Sequence, residues 1–257
     1  MIVGGPYDPY TPRIIPVFIL YAILFPVAFI LAFKLMRKGR QQGIKSAQYL
    51  GYSFLSFGAA ILIAFIGLLN VIIVGEFREI YRLSVPLSYS IGMVGTLFLL
   101  LFGFSLFGFQ KKMAVLFAVW TGITFVLVNL DSNWYGVPHS TYAGQFSMRF
   151  YSSLSMMLLA VGIYLYLISK INSLQIDKPL VKFGYKLIVW SLISLIFFWA
   201  CVTLDTVYIN ITGEGFSIFF DIAWIFGLIF WVLSYIGLTM PPKLKPYLEK
   251  RILHNRT

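Results

Sequence analysis

The chain has 257 residues, of which 60% are hydrophobic and only 11% are charged. A soluble domain would carry about 25% charged residues, so the composition excludes an ordinary water-soluble protein. The net charge of +11 does not indicate a nucleic-acid partner, because the basic residues flank apolar stretches and form no separate basic domain.

Seven apolar stretches are long enough to cross the hydrocarbon core of a bilayer, which takes about 20 residues of helix. Each is expected to be helical, because hydrocarbon offers the backbone no hydrogen-bond partners and the alternation of a barrel strand is missing. Residues 1–257 are therefore predicted to form a single transmembrane domain, an all-α membrane protein with a seven-transmembrane-helix bundle. In chain order the spans are predicted near 14–36, 48–74, 84–109, 113–130, 150–169, 184–209 and 216–240.

The distribution of charge predicts the direction of these spans. Sixteen of the 20 Lys and Arg residues lie in alternate connections and in the tail, whereas seven of the nine acidic residues lie on the opposite side. Basic residues stay on the cytoplasmic side of a membrane. The chain is thus expected to be a multi-pass protein of the cell membrane with its N-terminus outside and its C-terminus cytoplasmic. Its basic face is expected to contact anionic membrane lipids or a protein partner.

Small residues recur every four positions along the third predicted span, which places them on one face of a helix. Small side chains allow another helix to approach closely, which is how membrane helices gain packing contacts. A helix-packing face on a central helix is therefore predicted, and the alternative is a polar groove along a solute path. The four residues are Ser84, Ser88, Gly92 and Thr96.

Charged residues near the outer ends of spans 4 to 7 form the main candidate site, because charges at membrane depth are expensive and often mark function. One interpretation is that they are interfacial residues whose ion pairs hold loops together. The other is a polar cavity, open outward, that binds a small polar or cationic ligand with the help of aromatic faces. Ion or proton conduction is disfavoured, because the inner half lacks ionisable groups at mid-depth. The candidate ligand-binding residues are Asp131, Arg149, Asp205, Asp221 and Trp224.

Asn210 begins an Asn-Ile-Thr glycosylation sequence on the predicted outer side, so it is a candidate modification site. A second such sequence at Asn255 is predicted to lie in the cytoplasm, where it would stay unmodified. Tripeptides of this kind also arise by chance.

The motifs of several membrane enzymes are absent from the sequence. The two His residues are His139, in an outer loop, and His254, in the tail, so neither a haem held between spans nor a His-Glu-x-x-His zinc helix is available. Neither Asp205 nor Asp221 lies in the Gly-x-Gly-Asp sequence of intramembrane aspartyl proteases, and the last span has no Lys for a retinal Schiff base. No catalytic residue, metal site or cofactor is therefore predicted, and the protein is expected not to be an enzyme.

Two segments of the chain resemble a family of signalling proteins. Residues 76–82 read Glu-Phe-Arg-Glu-Ile-Tyr-Arg and lead into a span that contains Pro86, and Asp221 and Trp224 lie early in the last span. With the number, direction and length of the spans, these segments resemble the seven-helix sensory module at the N-terminus of microbial histidine kinases and related proteins. Since 17 residues follow Met240, the resemblance implies signalling through a separate partner.

The leading functional hypothesis is a non-enzymatic, receptor-like sensor. It would bind its ligand in the outward-facing polar cavity and relay a helix shift to a partner at the basic cytoplasmic face. The alternative is a small-solute transporter or channel, or a structural subunit of a membrane complex.

Overall fold

The computed structural model of the chain describes residues 9–130, 146–175, 178–212 and 216–239, with the side chains of the second segment described from Phe150 onward. Within these residues, seven α-helices are long and apolar enough to cross a membrane, which confirms the predicted number and order of spans. The helices are α1 (Ile14–Gln42), α2 (Lys45–Val74), α3 (Glu79–Phe107), α4 (Lys111–Val128), α5 (Phe146–Asn172), α6 (Pro179–Thr212) and α7 (Ile218–Thr239).

Most of the helices extend beyond the predicted apolar stretches. Helix α1 continues to Gln42 rather than ending near residue 36, and α3 begins at Glu79 rather than near residue 84. Hydropathy marks the part of a helix that suits hydrocarbon, whereas the backbone hydrogen bonds continue into the polar flanks. Helices α1 and α2 both end at a left-handed glycine, Gly43 with φ of 66° and Gly75 with φ of 81°, a conformation that glycine adopts without steric penalty.

Short connections make consecutive helices antiparallel, so the bundle has two ends. We call the end where α1 begins the N-terminal end; α3, α5 and α7 also begin there. The opposite end, where α1 and α7 finish, is the C-terminal end. The segment before α1 is tied to the N-terminal end, because the Tyr10 amide donates to the Gly75 carbonyl at 2.8 Å.

Six helices form a ring, and α4 lies outside it. The ring runs α1, α2, α3, α5, α6, α7 and closes through contacts between α7 and α1, while α4 packs against α3 and α5. This order leaves the centre of the ring to be filled by side chains from six helices. The C-terminal half is filled by close helix packing, and the N-terminal half holds the candidate site.

Candidate functional site: an aromatic cavity in the N-terminal half

A cavity of about 500 Å³ opens within the six-helix ring, and none of its lining residues comes from α4. The lining includes Thr11 and Arg13, which are exposed residues before α1, so the mouth lies at the N-terminal end. Along α7 the lining extends to Trp231, a depth of about 20 Å at 1.5 Å per residue. This volume lies within the range of about 300–1,000 Å³ that is typical of small-molecule sites.

Aromatic rings make up a large part of the cavity wall. Neighbouring rings touch in a continuous series: Phe77 stacks on Phe216 with centroids 6.3 Å apart, and Phe220 follows at 5.7 Å from Phe216. Trp224 contacts Phe220 at 6.1 Å and meets the ring of Tyr21 edge-on at 4.9 Å. The twelve aromatic lining residues are Tyr21, Phe57, Phe77, Tyr81, Tyr89, Phe198, Trp199, Phe216, Phe220, Trp224, Phe230 and Trp231.

Two charged residues line the cavity, Arg13 at the mouth and Asp205 on α6. The carboxylate of Asp205 is buried, and its Oδ1 accepts the Ser217 amide at 2.8 Å and the Ser217 hydroxyl at 2.7 Å. Ser217 immediately precedes α7, so the carboxylate lies at the positive end of the α7 dipole. Ser217 in turn follows Phe216, whose backbone φ of 60° is unfavourable for a residue with a side chain. Asp205 therefore ties α6 to the start of α7.

The hydroxyl groups along the wall are also engaged by protein atoms. Ser88 donates to the Ala60 carbonyl at 2.7 Å, and Ser152 donates to the Leu127 carbonyl at 3.0 Å. Thr206 bonds the Val202 carbonyl at 3.1 Å and the Ser153 hydroxyl at 3.2 Å. The Ser88 and Ser152 bonds link neighbouring helices, the Thr206 bond to Val202 lies within α6, and most of the cavity lining is apolar. The sequence predicted a polar cavity, and the wall that the structure shows is instead dominated by aromatic and aliphatic side chains.

A hydrogen-bonded group of side chains from three helices lies beside the deep part of the cavity. The Tyr164 hydroxyl on α5 accepts the indole N–H of Trp199 on α6 at 3.3 Å and lies 3.4 Å from the Thr96 hydroxyl on α3. Tyr164 has no solvent exposure and does not line the cavity, whereas Trp199 does. Below it, Ser234 on α7 donates to Ser191 on α6 at 2.7 Å, with both side chains buried.

The predicted ligand residues are placed differently from one another. Asp205 and Trp224 line the cavity, whereas Asp221, in the first turn of α7, does not. The Asp221 Oδ1 atom is buried and has no hydrogen-bond partner within the described part of the chain. Asp131 lies outside the described residues, as does the side chain of Arg149, whose backbone belongs to α5. Ligand contact stays a prediction for all five.

The small residues on one face of α3 have three different surroundings: helix α2, the cavity and helix α5. Ser84 lies against Gly67 of α2, and Ser88 bonds the α2 backbone, as close helix packing requires. Gly92 instead lies on the cavity wall, where an added Cβ would meet no heavy atom within 4 Å. Thr96 points to α5 through Tyr164. Helix packing and a groove, the two alternatives for this face, thus apply to different residues along it.

Asn210 lies in the last turns of α6, and its Nδ2 atom is buried without a hydrogen-bond partner among the described residues. Glycosylation joins the sugar to this nitrogen, so modification would require the end of the helix to open. The modification stays a prediction.

Sequence reasoning missed most of the cavity wall. The signal was present on α7, where Phe220, Trp224, Gly227 and Trp231 recur at intervals of three and four residues. That spacing places them on one helix face. In a span where every position is apolar, the position of the rings, rather than hydrophobicity, identifies the inward face.

No family model, curated protein or solved structure matches the chain. Among the described residues, no group of three or more His, Cys, Asp or Glu side chains is placed to hold a metal ion.

Proposed function

We propose that the chain is a non-enzymatic, receptor-like protein of the cell membrane, which binds a small molecule in the aromatic cavity and transmits the event along α7 to a cytoplasmic partner. The observation that carries the proposal is the cavity, because it opens at the N-terminal end and its lining goes no deeper than Trp231 on α7 and Leu195 on α6, well short of the C-terminal end. A pocket with one mouth suits binding. It does not suit conduction, which needs a path to both sides.

The charge distribution supports the orientation that this proposal requires. With basic residues in the cytoplasm, the N-terminal end of the bundle and the cavity mouth face outward. Reporters fused to the two termini should then indicate opposite compartments, and reporters in the same compartment would contradict the orientation.

Helix α7 supports the relay, because it contacts both the cavity and the C-terminal end. Its first turn is fixed by Asp205, and the face below lines the cavity through Phe220, Trp224 and Trp231. Its last turn receives Lys38 of α1, whose Nζ donates to the carbonyls of Leu238 and Thr239 at 3.3 Å each. A displacement of the α7 rings by a ligand would therefore be transmitted to a contact on the basic face.

The relay can be tested before any ligand is known, because the side chain of Gly92→Phe would occupy the cavity itself. An added Cβ at Gly92 meets no heavy atom within 4 Å, so the new ring can enter open space. The same substitution at Gly122 provides the matched control, since Gly122 lies on α4, away from the cavity, with equally open surroundings. Spin labels at Thr239→Cys and Lys111→Cys, with Cys201→Ser, would report the distance between the end of α7 and the start of α4.

We expect Gly92→Phe to shift this distance distribution and Gly122→Phe to leave it as in the parent. Identical distributions in all three proteins would contradict the relay. For the alternative, ion leakage from proteoliposomes above that from protein-free vesicles would favour a channel and contradict a cavity that ends within the bundle.

A further inference from the structure

The composition of the cavity wall restricts the chemistry of the molecule that the cavity can hold; this inference rests on the proposed binding function. Twelve of the 32 lining residues are aromatic, and the lining carries two charged residues. A ligand gains most of its affinity in such a site from burial of apolar surface and from ring contacts.

A cationic ligand would need the Asp205 carboxylate as its counter-charge, since it is the acidic residue of the lining. That carboxylate already accepts two hydrogen bonds from Ser217 and lies at the N-terminus of α7. Both interactions stabilise the negative charge within the protein. Together they offset part of the charge, which weakens the attraction for a cation, and the carboxylate already anchors the helix pair.

A strongly polar ligand would need hydrogen-bonding groups from the wall. The hydroxyl hydrogens of Ser88, Ser152 and Thr206 are directed to protein acceptors. The Trp224 Nε1 atom, buried without a hydrogen-bond partner among the described residues, leaves one donor on the wall. A molecule that needs several hydrogen bonds would still lose more hydration than this donor replaces, which is unfavourable.

We infer that the natural ligand is an uncharged, chiefly apolar molecule with one or more rings, held by contact with the aromatic wall. This class differs from the small polar or cationic ligand that the sequence predicted. Such a molecule can come from the membrane or from the external solution, because the chemistry of the wall is the same for both.

Three probes with one ring system separate the alternatives: uncharged pyrene, cationic 1-pyrenemethylammonium and anionic 1-pyrenecarboxylate. Binding to the full chain in nanodiscs is followed by energy transfer from tryptophan to pyrene, with empty nanodiscs as background. The comparison for each probe is between Gly92→Phe, which fills the cavity, and Gly122→Phe, which does not. For each probe, the ratio of the dissociation constants of the two proteins cancels the partitioning of that probe into lipid.

We expect Gly92→Phe to weaken the binding of pyrene by about tenfold or more relative to Gly122→Phe, which corresponds to losing about 1.4 kcal/mol of ring contact, and to affect the charged probes less. A larger effect on the cationic or the anionic probe would overturn the ligand class while keeping the cavity as a binding site. If Gly92→Phe weakened none of the three, both the ligand class and the proposed binding function would be overturned. Gly92→Leu, a smaller insertion, keeps the test valid if the Phe variant fails to fold.

The source of the ligand is resolved by mass spectrometry of organic extracts of the purified proteins. A compound enriched with Gly122→Phe protein but depleted with Gly92→Phe protein would be a ligand supplied by the cell membrane, and its structure would be tested directly against the inferred class. If pyrene binding depends on Gly92 and no such compound is found, the ligand enters as a solute. A charged or acyclic polar compound with that enrichment would overturn the inference.

Discussion

In the N-terminal half of the bundle, six helices stand around a cavity of about 500 Å³, whereas in the C-terminal half helix pairs meet at glycine residues. A Cβ at Gly237 of α7 would lie 2.7 Å from the Gly184 carbonyl oxygen of α6, and a Cβ at Gly51 of α2 would lie 3.1 Å from the Met36 amide nitrogen of α1. Backbones therefore approach closely at these two positions of the C-terminal half, whereas the N-terminal half encloses the cavity, although α2 and α3 also pack closely there at Gly67.

The difference shows how a membrane bundle can keep a cavity without losing its shape. In the open half, the helices are held by polar contacts such as the Asp205–Ser217 bonds and the Ser88 bond to α2. The C-terminal half also has polar contacts, between Ser191 and Ser234 and between Lys38 and the end of α7, and in addition its backbones come into van der Waals contact at Gly51 and Gly237. Substitutions in the two halves should therefore act through different physical causes.

The largest effect is expected from Asp205→Ala, which removes the acceptor of two buried donors on Ser217. Because both Ser217 donors would be left buried without an acceptor, the free energy of unfolding should fall by about 3 kcal/mol. Asp205→Asn keeps a carbonyl oxygen as acceptor and should lower it by about 1 kcal/mol. Unfolding of the purified full chain in detergent measures both. A double-mutant cycle with Ser217→Ala should show that the two effects are not additive. Additive effects would mean that Asp205 acts elsewhere.

The role of Asp205 illustrates what the sequence could and could not predict. Its depth in the span and its position at the predicted outer end were readable from hydropathy, as were all seven helices. Its partner was not, because the hydrogen bond depends on how α6 and α7 turn around Phe216. A serine directly before an apolar run is nonetheless a signal for a helix start, and Ser217 could have been identified on that basis.

The cavity was harder to predict, because hydropathy does not say which face of an all-apolar helix points inward. Gly92 and Ser84 belong to the same small-residue pattern, yet Ser84 contacts α2 and Gly92 faces open space. The separation of these two roles depends on where the neighbouring helices diverge, which is a property of the whole bundle.

A second prediction compares glycine-to-alanine substitutions in the two halves. Gly237→Ala should lower the free energy of unfolding by about 2 kcal/mol, because the methyl group would press on the α6 backbone, which cannot move aside as a side chain can. Gly92→Ala should raise it, by up to about 1 kcal/mol, since alanine favours the helix and the site is open. Thermal unfolding measures both. If the signs of the two effects were reversed, the contrast between a closed and an open half would be wrong.

A third prediction concerns the boundary between the halves, at Tyr164. Tyr164→Phe leaves the indole N–H of Trp199 without its acceptor and should lower the free energy of unfolding by about 1 kcal/mol. Tyr166→Phe is the matched control two residues away, because the Tyr166 hydroxyl is buried and has no hydrogen-bond partner within the described residues. It should be neutral or slightly stabilising. Equal losses in the two variants would show that removing any tyrosine hydroxyl at this depth lowers stability, and that the hydrogen bond to Trp199 has no specific role.

The smallest effect on stability is expected from Lys38→Met, although it bears most directly on the relay. The substitution keeps an apolar stem of similar length but removes the ammonium that donates to the Leu238 and Thr239 carbonyls. Since a cation near a helix C-terminus contributes a few tenths of a kcal/mol, the loss should be about 0.5 kcal/mol and confined to the last turn of α7. Hydrogen exchange of the α7 amides should rise there and remain unchanged beside the cavity.

Lys34→Met, on the same helix and exposed, is the control for the loss of one positive charge. It should leave α7 exchange as in the parent protein. If Lys38→Met also left it unchanged, the Lys38 contact would not constrain the end of α7, and the proposed relay would lose its contact at the basic face. If exchange instead rose along the whole of α7, the C-terminal contact would stabilise the cavity as well, and the two halves would form a single cooperative unit.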